Sequence, residues 1–287
     1  MPTKIEKDEI SGQMTTGHEW DGLKELNTPL PKWWLYILYA TIAFSAVWVV
    51  LYPSAPFWEG TTGWTARGAL APQMQAEQAR MAPMMARLRD ATPEQIAADP
   101  ELRAFAVAGG RAAFANACAG CHGAGGQGAP GGFPSLADDD WIYGGSFDAI
   151  QHTIRHGVRA NESDEQRGIQ MPAFVQTGML TRAQAEDTAE FVLGLTGRST
   201  DAAAAQRGEA LYAENCASCH GDRGEGNRDM GAPRLNDRIW LYGGDKASVV
   251  RSISLSRAGV MPAWQGRLDP ATINMLTVYV HALGGGE

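Results

Sequence analysis

The 287-residue sequence predicts an all-α protein, with one N-terminal transmembrane helix followed by two tandem helical domains. Three observations carry that expectation. Residues 33–52 form an uncharged apolar run. A stretch of roughly 90 residues occurs twice after residue 105, a period that indicates duplication of a whole domain rather than a solenoid. Helix-starting signals recur at matching places in the two copies, while alternating strand-like patterns are scarce. The expected segments are 1–32, a cytoplasmic N-terminal segment; 33–52, the membrane helix; 53–105, a periplasmic connector; 106–197, the first domain; and 198–287, the second. A net charge of −8 and a pI near 5.3 argue against nucleic acid as a partner and leave a basic protein possible.

The apolar run reads Trp33-Trp34-Leu35-Tyr36 through Val49-Val50-Leu51-Tyr52. Twenty helical residues span about 30 Å, the thickness of a bilayer's hydrocarbon core. Trp33, Trp34 and Tyr36 at one end, and Trp48, Tyr52 and Trp58 at the other, read as interfacial belts. Lys4, Lys7, Lys24 and Lys32 precede the run, whereas residues 53–79 hold only Arg67, so the N-terminus is expected in the cytoplasm. A cleaved signal peptide would be shorter, start earlier and end in a small-x-small site, so a retained anchor is expected. In the connector, Pro53, Pro56, Gly60 and Gly63 break structure, and a helix is expected from about Ala71 to Asp90. Its row of Met74, Met81, Met84 and Met85 reads as packing surface, facing another subunit, rather than a metal site.

The repeat is anchored on Cys118-Ala-Gly-Cys121-His122 and, 98 residues later, Cys216-Ala-Ser-Cys219-His220. Cys-x-x-Cys-His is the attachment signature of a c-type haem. Two thiols reach the two vinyl groups of one porphyrin, and the adjoining imidazole reaches the iron. Cys118, Cys121, Cys216 and Cys219 are all the cysteines of the chain, and two covalent haem c groups are expected. A four-thiolate zinc cage is the weaker alternative, because each pair carries its own His inside its own long repeat. His122 and His220 are the expected proximal iron ligands.

Further matches extend the duplication. Trp141-Ile-Tyr143-Gly-Gly pairs with Trp240-Leu-Tyr242-Gly-Gly, and Met171-Pro-Ala-Phe with Met261-Pro-Ala-Trp. Between His156 and Met171 the first copy has a loop nine residues longer. Met171 and Met261 are the expected sixth ligands, since a thioether favours ferrous iron and the following proline stiffens the loop that presents it. Each methionine serves either its own copy's haem or the other copy's; the sequence leaves both arrangements open. Met179, Met230 and Met275 have no repeat partner and read as packing. His152 and His156 stand one helical turn apart, a spacing that can bind metal, but their counterparts are Arg251 and Leu255, so surface or packing roles are expected. His281 matches Leu193 and reads as structural. Trp141, Tyr143, Trp240 and Tyr242 either donate to haem propionates or fill the core.

Helix caps repeat too. Thr181-x-x-Gln184 is a capping box, Asp269-Pro270 opens the equivalent helix, and Ser146 and Asp245 can cap the middle helices. Each copy thus reads as a motif helix, a long loop, a middle helix, a methionine loop and a closing helix. That order resembles the class I cytochrome c fold. In cytochromes of this class a proline carbonyl orients the proximal histidine, and Pro134 and Pro233 stand at the matching places. Residues 107–197 carry a net charge of −5 and residues 198–287 a net charge of zero, so the first domain is the expected docking surface for a basic donor.

One more stretch narrows the reading. His18-Glu-Trp-Asp21-Gly22-Leu-Lys-Glu25-Leu-Asn-Thr-Pro29-Leu-Pro31-Lys-Trp33-Trp34, running into a single anchor, resembles the N-terminus of the dihaem subunit (CcoP or FixP) of cbb3-type cytochrome c oxidases. The resemblance implies a bacterial inner-membrane oxidase. Electrons would pass from a soluble cytochrome c through this subunit to a monohaem subunit, then to the haem–copper subunit that reduces oxygen and pumps protons. This chain would have no oxygen-reducing site of its own and would act as an electron-transfer subunit. The alternative is a free-standing membrane-tethered dihaem shuttle, or the electron-entry subunit of another respiratory complex. A peroxidase-like enzyme would need an open iron position and a distal acid or base, which paired Met-Pro motifs argue against.

Overall fold

A computed structural model describes residues 4–287; residues 1–3 of the expected N-terminal segment lie outside the described residues. The chain divides into two units, Met1–Arg80 and Met81–Glu287.

The first unit opens with a two-stranded antiparallel hairpin, β1 (Thr15–Trp20) and β2 (Leu23–Leu26). This small sheet is a minor addition to a helix-dominated chain, and its cause is local. Asp21 and Gly22 both take positive φ, 49° and 84°, giving a two-residue turn of the primed type that Asp-Gly favours. Trp20 Nε1 and the Thr16 hydroxyl donate to opposite oxygens of Glu25, fixing the register. Helix α1 (Lys32–Leu51) follows, with none of its residues buried. Apart from Lys32, Thr41 and Ser45 its residues are apolar or aromatic, and at 20 residues it is long and apolar enough to cross a membrane. Trp48 and Tyr52 stack at 4.3 Å at its end. Helix α2 (Ala66–Asp90) begins five residues before the sequence suggested. The Thr65 hydroxyl accepts from the Gly68 N–H at 2.9 Å and so supplies an earlier start.

In the second unit, the end of α2 leads into α3 (Pro93–Ala98) and α4 (Pro100–Ala117). The stretch expected as connector therefore ends in ordered helices. Leu88 and Ile96 are fully buried, with Met84 and Met85 packed against them. That pair of the methionine row faces this chain's own core, while Met74 and Met81 are exposed. The remaining helices are α5 (Ala119–His122), α6 (Phe147–His156), α7 (Arg182–Gly194), α8 (Ala202–Asn215), α9 (Ala217–His220), α10 (Lys246–Leu255) and α11 (Pro270–His281). The expected caps form: Thr181 and Gln184 close a reciprocal box, and Ser146, Asp245 and Asp269 each accept from the third residue on.

Packing does not follow chain order. Closing helix α11, from the second sequence copy, lies against α4 and α6 of the first. Closing helix α7, from the first copy, lies against α8 and α10 of the second. Each close crossing is made at a glycine. A Cβ on Gly110 would meet the Met275 carbonyl, and one on Gly208 the Asp187 carbonyl. The two glycines are 98 residues apart, the same offset as the cysteine motifs. Bare backbone at these points lets the helices approach closely enough to bury their apolar faces.

Glu190 of α7 reinforces the exchange. Its fully buried carboxylate accepts from the Ser199 hydroxyl, the Thr200 hydroxyl, and the Thr200 and Asp201 N–H groups, and it pairs with Lys246 of α10 at 2.8 Å. These partners hold its pKa down at about 2, Lys246 contributing most. Asn274 of α11 does similar work in the other core, donating to the Leu88 and Ala91 carbonyls.

Candidate haem sites

The two cysteine motifs fold alike because their sequences impose the same turn. Cys118 ends α4, and the short α5 carries Cys121 and His122; Cys216, α8 and α9 repeat this with Cys219 and His220. Gly123 and Gly221, both at φ 79°, then reverse the chain, where a side-chain-bearing residue would be strained. The loops return so that Gly128 N–H bonds the His122 carbonyl at 2.7 Å, and Gly226 N–H the His220 carbonyl at 2.8 Å.

That return brings the two prolines to the imidazoles. His122 Nδ1 lies 3.0 Å from the Pro134 carbonyl oxygen, and His220 Nδ1 lies 2.9 Å from that of Pro233. A carbonyl accepts only, so Nδ1 carries the proton and Nε2 keeps its lone pair for a metal. Burial lowers the pKa of both histidines and favours this neutral form. Burial also pushes the Cys118 and Cys216 thiols up to about 11, with the neighbouring cysteine adding to the shift. Cys118 belongs to one core and Cys216 to another, so the two pairs do not meet in a four-sulfur site.

The methionine loops are exchanged along with the closing helices. Met171 packs in the core that holds Cys216, Tyr212 and Phe174. Its loop is pinned to the end of α10: Phe174 N–H donates to the Ile253 carbonyl at 3.1 Å, and the Ser256 hydroxyl donates to the Met171 carbonyl. Met261 packs in the core with Cys118, Phe114 and Ile154. It pairs with Val158 in both directions, at 2.9 and 3.0 Å, and Trp264 N–H donates to the Ile154 carbonyl at 3.1 Å. Met275 is buried in the neighbouring core, as a packing residue should be, whereas Met179 is more than half exposed.

The four aromatic residues divide, with Tyr242 lying under the Arg257 guanidinium at 4.8 Å. Trp141 Nε1 donates to the Gly285 carbonyl, and the Tyr143 hydroxyl accepts from Arg159 at 3.2 Å, so both have protein partners. Trp240 Nε1 is buried without a partner, and so is Nη2 of Arg198, whose guanidinium lies over the Trp240 ring at 5.1 Å. Among the described residues these are the buried side-chain polar atoms left unsatisfied. Two unpaired donors side by side call for an anion, and a propionate carboxylate has the chemistry they lack. Arg198 carried no sequence signal beyond being a basic residue between the copies. His281 stacks on Phe147 at 3.8 Å, in keeping with a structural role.

Paired thiols, an imidazole oriented by a carbonyl and a thioether in the same core, set in a helical domain, define a c-type cytochrome, here in two domains behind a membrane anchor. Comparison with known proteins agrees with this and narrows it. Residues 12–59 match the family model for the N-terminal domain of cytochrome oxidase-cbb3, FixP; residues 107–196 match cytochrome c; and residues 203–280 match cytochrome c oxidase, cbb3-type, subunit III. The cbb3-type cytochrome c oxidase subunit CcoP of Azospirillum brasilense is 51% identical, over 98% of this chain and 99% of its own length. The FixP subunit of Bradyrhizobium diazoefficiens is 46% identical and the CcoP subunit of Cereibacter sphaeroides 42%, each over the full length of both chains. The chain belongs to the CcoP/FixP family of cbb3-type cytochrome c oxidase subunits. It binds haem c, works as an electron-transfer subunit of an oxidase complex, and has other oxidase subunits as partners.

Proposed function

We propose that the chain carries two covalent haem c groups with exchanged sixth ligands. Cys118, Cys121 and His122 would hold the first together with Met261, and Cys216, Cys219 and His220 would hold the second together with Met171. The observation that carries the reading is the membership of the cores: Met261 packs with Cys118, and Met171 with Cys216. When bound, each haem cycles between ferric and ferrous iron and so carries one electron. The protein's contribution is to orient and insulate. The paired thiols would hold each group through thioether links to its two vinyl groups, an addition that needs no oxidant. Pro134 and Pro233 hold the imidazole tautomer that leaves Nε2 free. Arg198 and Trp240 meet the propionate charge of the second group. Thioether ligation and burial both raise the potential, as passage of electrons toward an oxidant requires.

In this reading the N-terminus is cytoplasmic and both haem domains are periplasmic, as the lysines ahead of α1 support. Electrons enter from a soluble cytochrome c, steered by the acidic first copy, and leave toward the monohaem and haem–copper subunits. Oxygen is reduced on those partners and not on this chain. The ligand exchange is tested in a C216A/C219A chain that retains one haem. Met261→Ala should then abolish the methionine–iron charge-transfer band while Met171→Ala leaves it; the opposite pattern would overturn the exchange. Two haems per chain are checked by the mass added and by haemochrome absorbance. Donor turnover should fall with added salt, and a salt-independent rate would remove the steering role.

A further inference from the structure

The first copy's loop after α6 is nine residues longer than the second's. It folds back over the last turn of α6. There His152 and His156 stand with ring centroids 4.7 Å apart. His152 Nε2 lies 3.0 Å from the Glu165 carbonyl oxygen, and His156 Nδ1 lies 2.9 Å from the Ser163 hydroxyl. His156 Nε2 faces the Glu165 carboxylate at 3.6 Å. One donor atom from each of His152, His156 and Glu165 lies within 4.8 Å of the other two. Among the described residues no other group of three His, Cys, Asp or Glu side chains comes together in this way.

We propose that His152, His156 and Glu165 form a binding site for a divalent late transition-metal ion, of the Zn2+ or Cu2+ class, distinct from the haem irons. Two imidazoles and one carboxylate are the donor set such ions prefer, and three protein ligands with an open side leave room for water. A tetrahedral ion with bonds of about 2.0–2.1 Å holds its donors about 3.3 Å apart, so the His156–Glu165 pair is already close to bonding separation. The site is also buttressed. Ser163 fixes the His156 ring from its far nitrogen, the outer-shell arrangement typical of metal-binding histidines. The loop itself is clamped by Arg159 N–H to the Arg167 carbonyl at 2.9 Å and Arg167 N–H to the Gly157 carbonyl at 3.2 Å. The Arg167 guanidinium lies over the Tyr143 ring and donates to the Thr153 hydroxyl and the Ala149 carbonyl of α6, close enough that its charge, after burial, helps to lower the pKa of His152. His156 is 8% exposed while the Glu165 side chain is 73% exposed, so an ion can enter from solvent and meet a seated imidazole.

Occupancy would tie α6 to the strap behind Met261. Val158 of that strap pairs with Met261, and Glu162 accepts from Ala263 N–H at 2.9 Å and from Arg267 at 2.7 Å. In the second copy the helix positions are Arg251 and Leu255, so no equivalent site exists there.

The test uses the haem-loaded full chain in detergent, made without a polyhistidine tag and stripped with a chelator. Zn2+ is titrated in competition with a chromophoric chelator, and X-ray absorption at the zinc edge counts imidazoles. One site is expected that Glu165→Gln and His152→Arg each weaken at least about tenfold, with two imidazoles on the zinc. Glu165 is exposed and arginine is the second copy's own residue, so both variants should keep the wild-type haem spectrum. Equal affinity in wild type and both variants, or a zinc shell with fewer than two imidazoles, would overturn the proposal and leave only a His156–Glu165 contact.

Discussion

Replacing Glu190 with glutamine tests how the exchanged halves are joined. The carboxylate is fully buried, accepts four hydrogen bonds and pairs with Lys246, and its pKa is held at about 2 against an ordinary 4.5. Each unit of such a shift corresponds to about 1.4 kcal/mol, so the ionised group contributes about 3 kcal/mol to stability at neutral pH. Lys246 is itself partly exposed, and water screens its share. Glutamine keeps the shape but turns an amide NH2 toward donors, so Glu190→Gln should lose about 2–3 kcal/mol at neutral pH. Because the folded-state pKa is depressed, this contribution is complete above 4.5 and disappears as pH falls toward 2. In urea unfolding followed by far-ultraviolet circular dichroism, the midpoint should drop by about 1–2 M at neutral pH. The gap should close as the medium is acidified from 4.5 toward 2. A variant as stable as wild type, or a gap unchanged across that acid range, would refute the reasoning.

Other perturbations probe separate links. Gly208→Val should separate α7 from α8 and Gly110→Val should separate α4 from α11, each costing more than about 3 kcal/mol by overpacking; loss of the folded haem spectrum from the affected core measures this. Leu276→Ala, almost fully buried in the core that holds Cys118, should cost about 2–5 kcal/mol and loosen the first haem site, although Leu276 belongs to the second copy. Thr181→Ala breaks one capping box and should cost about 1 kcal/mol in thermal unfolding. Arg198→Leu removes a buried cation beside the expected propionates of the second group; potentiometry should show one of the two midpoint potentials falling and the other unchanged.

The sequence by itself determined every element whose cause is short-range. The Cys-x-x-Cys-His motifs, the Thr181–Gln184 box, the Asp and Ser caps and the uncharged membrane helix are each set within a few residues. Other local patterns act over equally short range. Asp21-Gly22 between Trp20 and Leu23 specified the hairpin, Thr65 the earlier helix start, and Gly110 and Gly208 at the cysteine offset the two tight crossings. Only the tertiary structure decided which half belongs with which. The closing helices α7 and α11 each bury a face, and nothing local to either helix says which partner that face covers. The choice rests on contacts between residues far apart in the chain. Glu190 with Lys246, Asn274 with Leu88 and Ala91, and Val158 with Met261 favour the exchanged arrangement. The gathering of His152, His156 and Glu165 and the two unpaired donors of Arg198 and Trp240 were hidden for the same reason. Composition and spacing carry no information about which side chains the chain returns to one point, and that return is where burial and hydrogen bonding are settled.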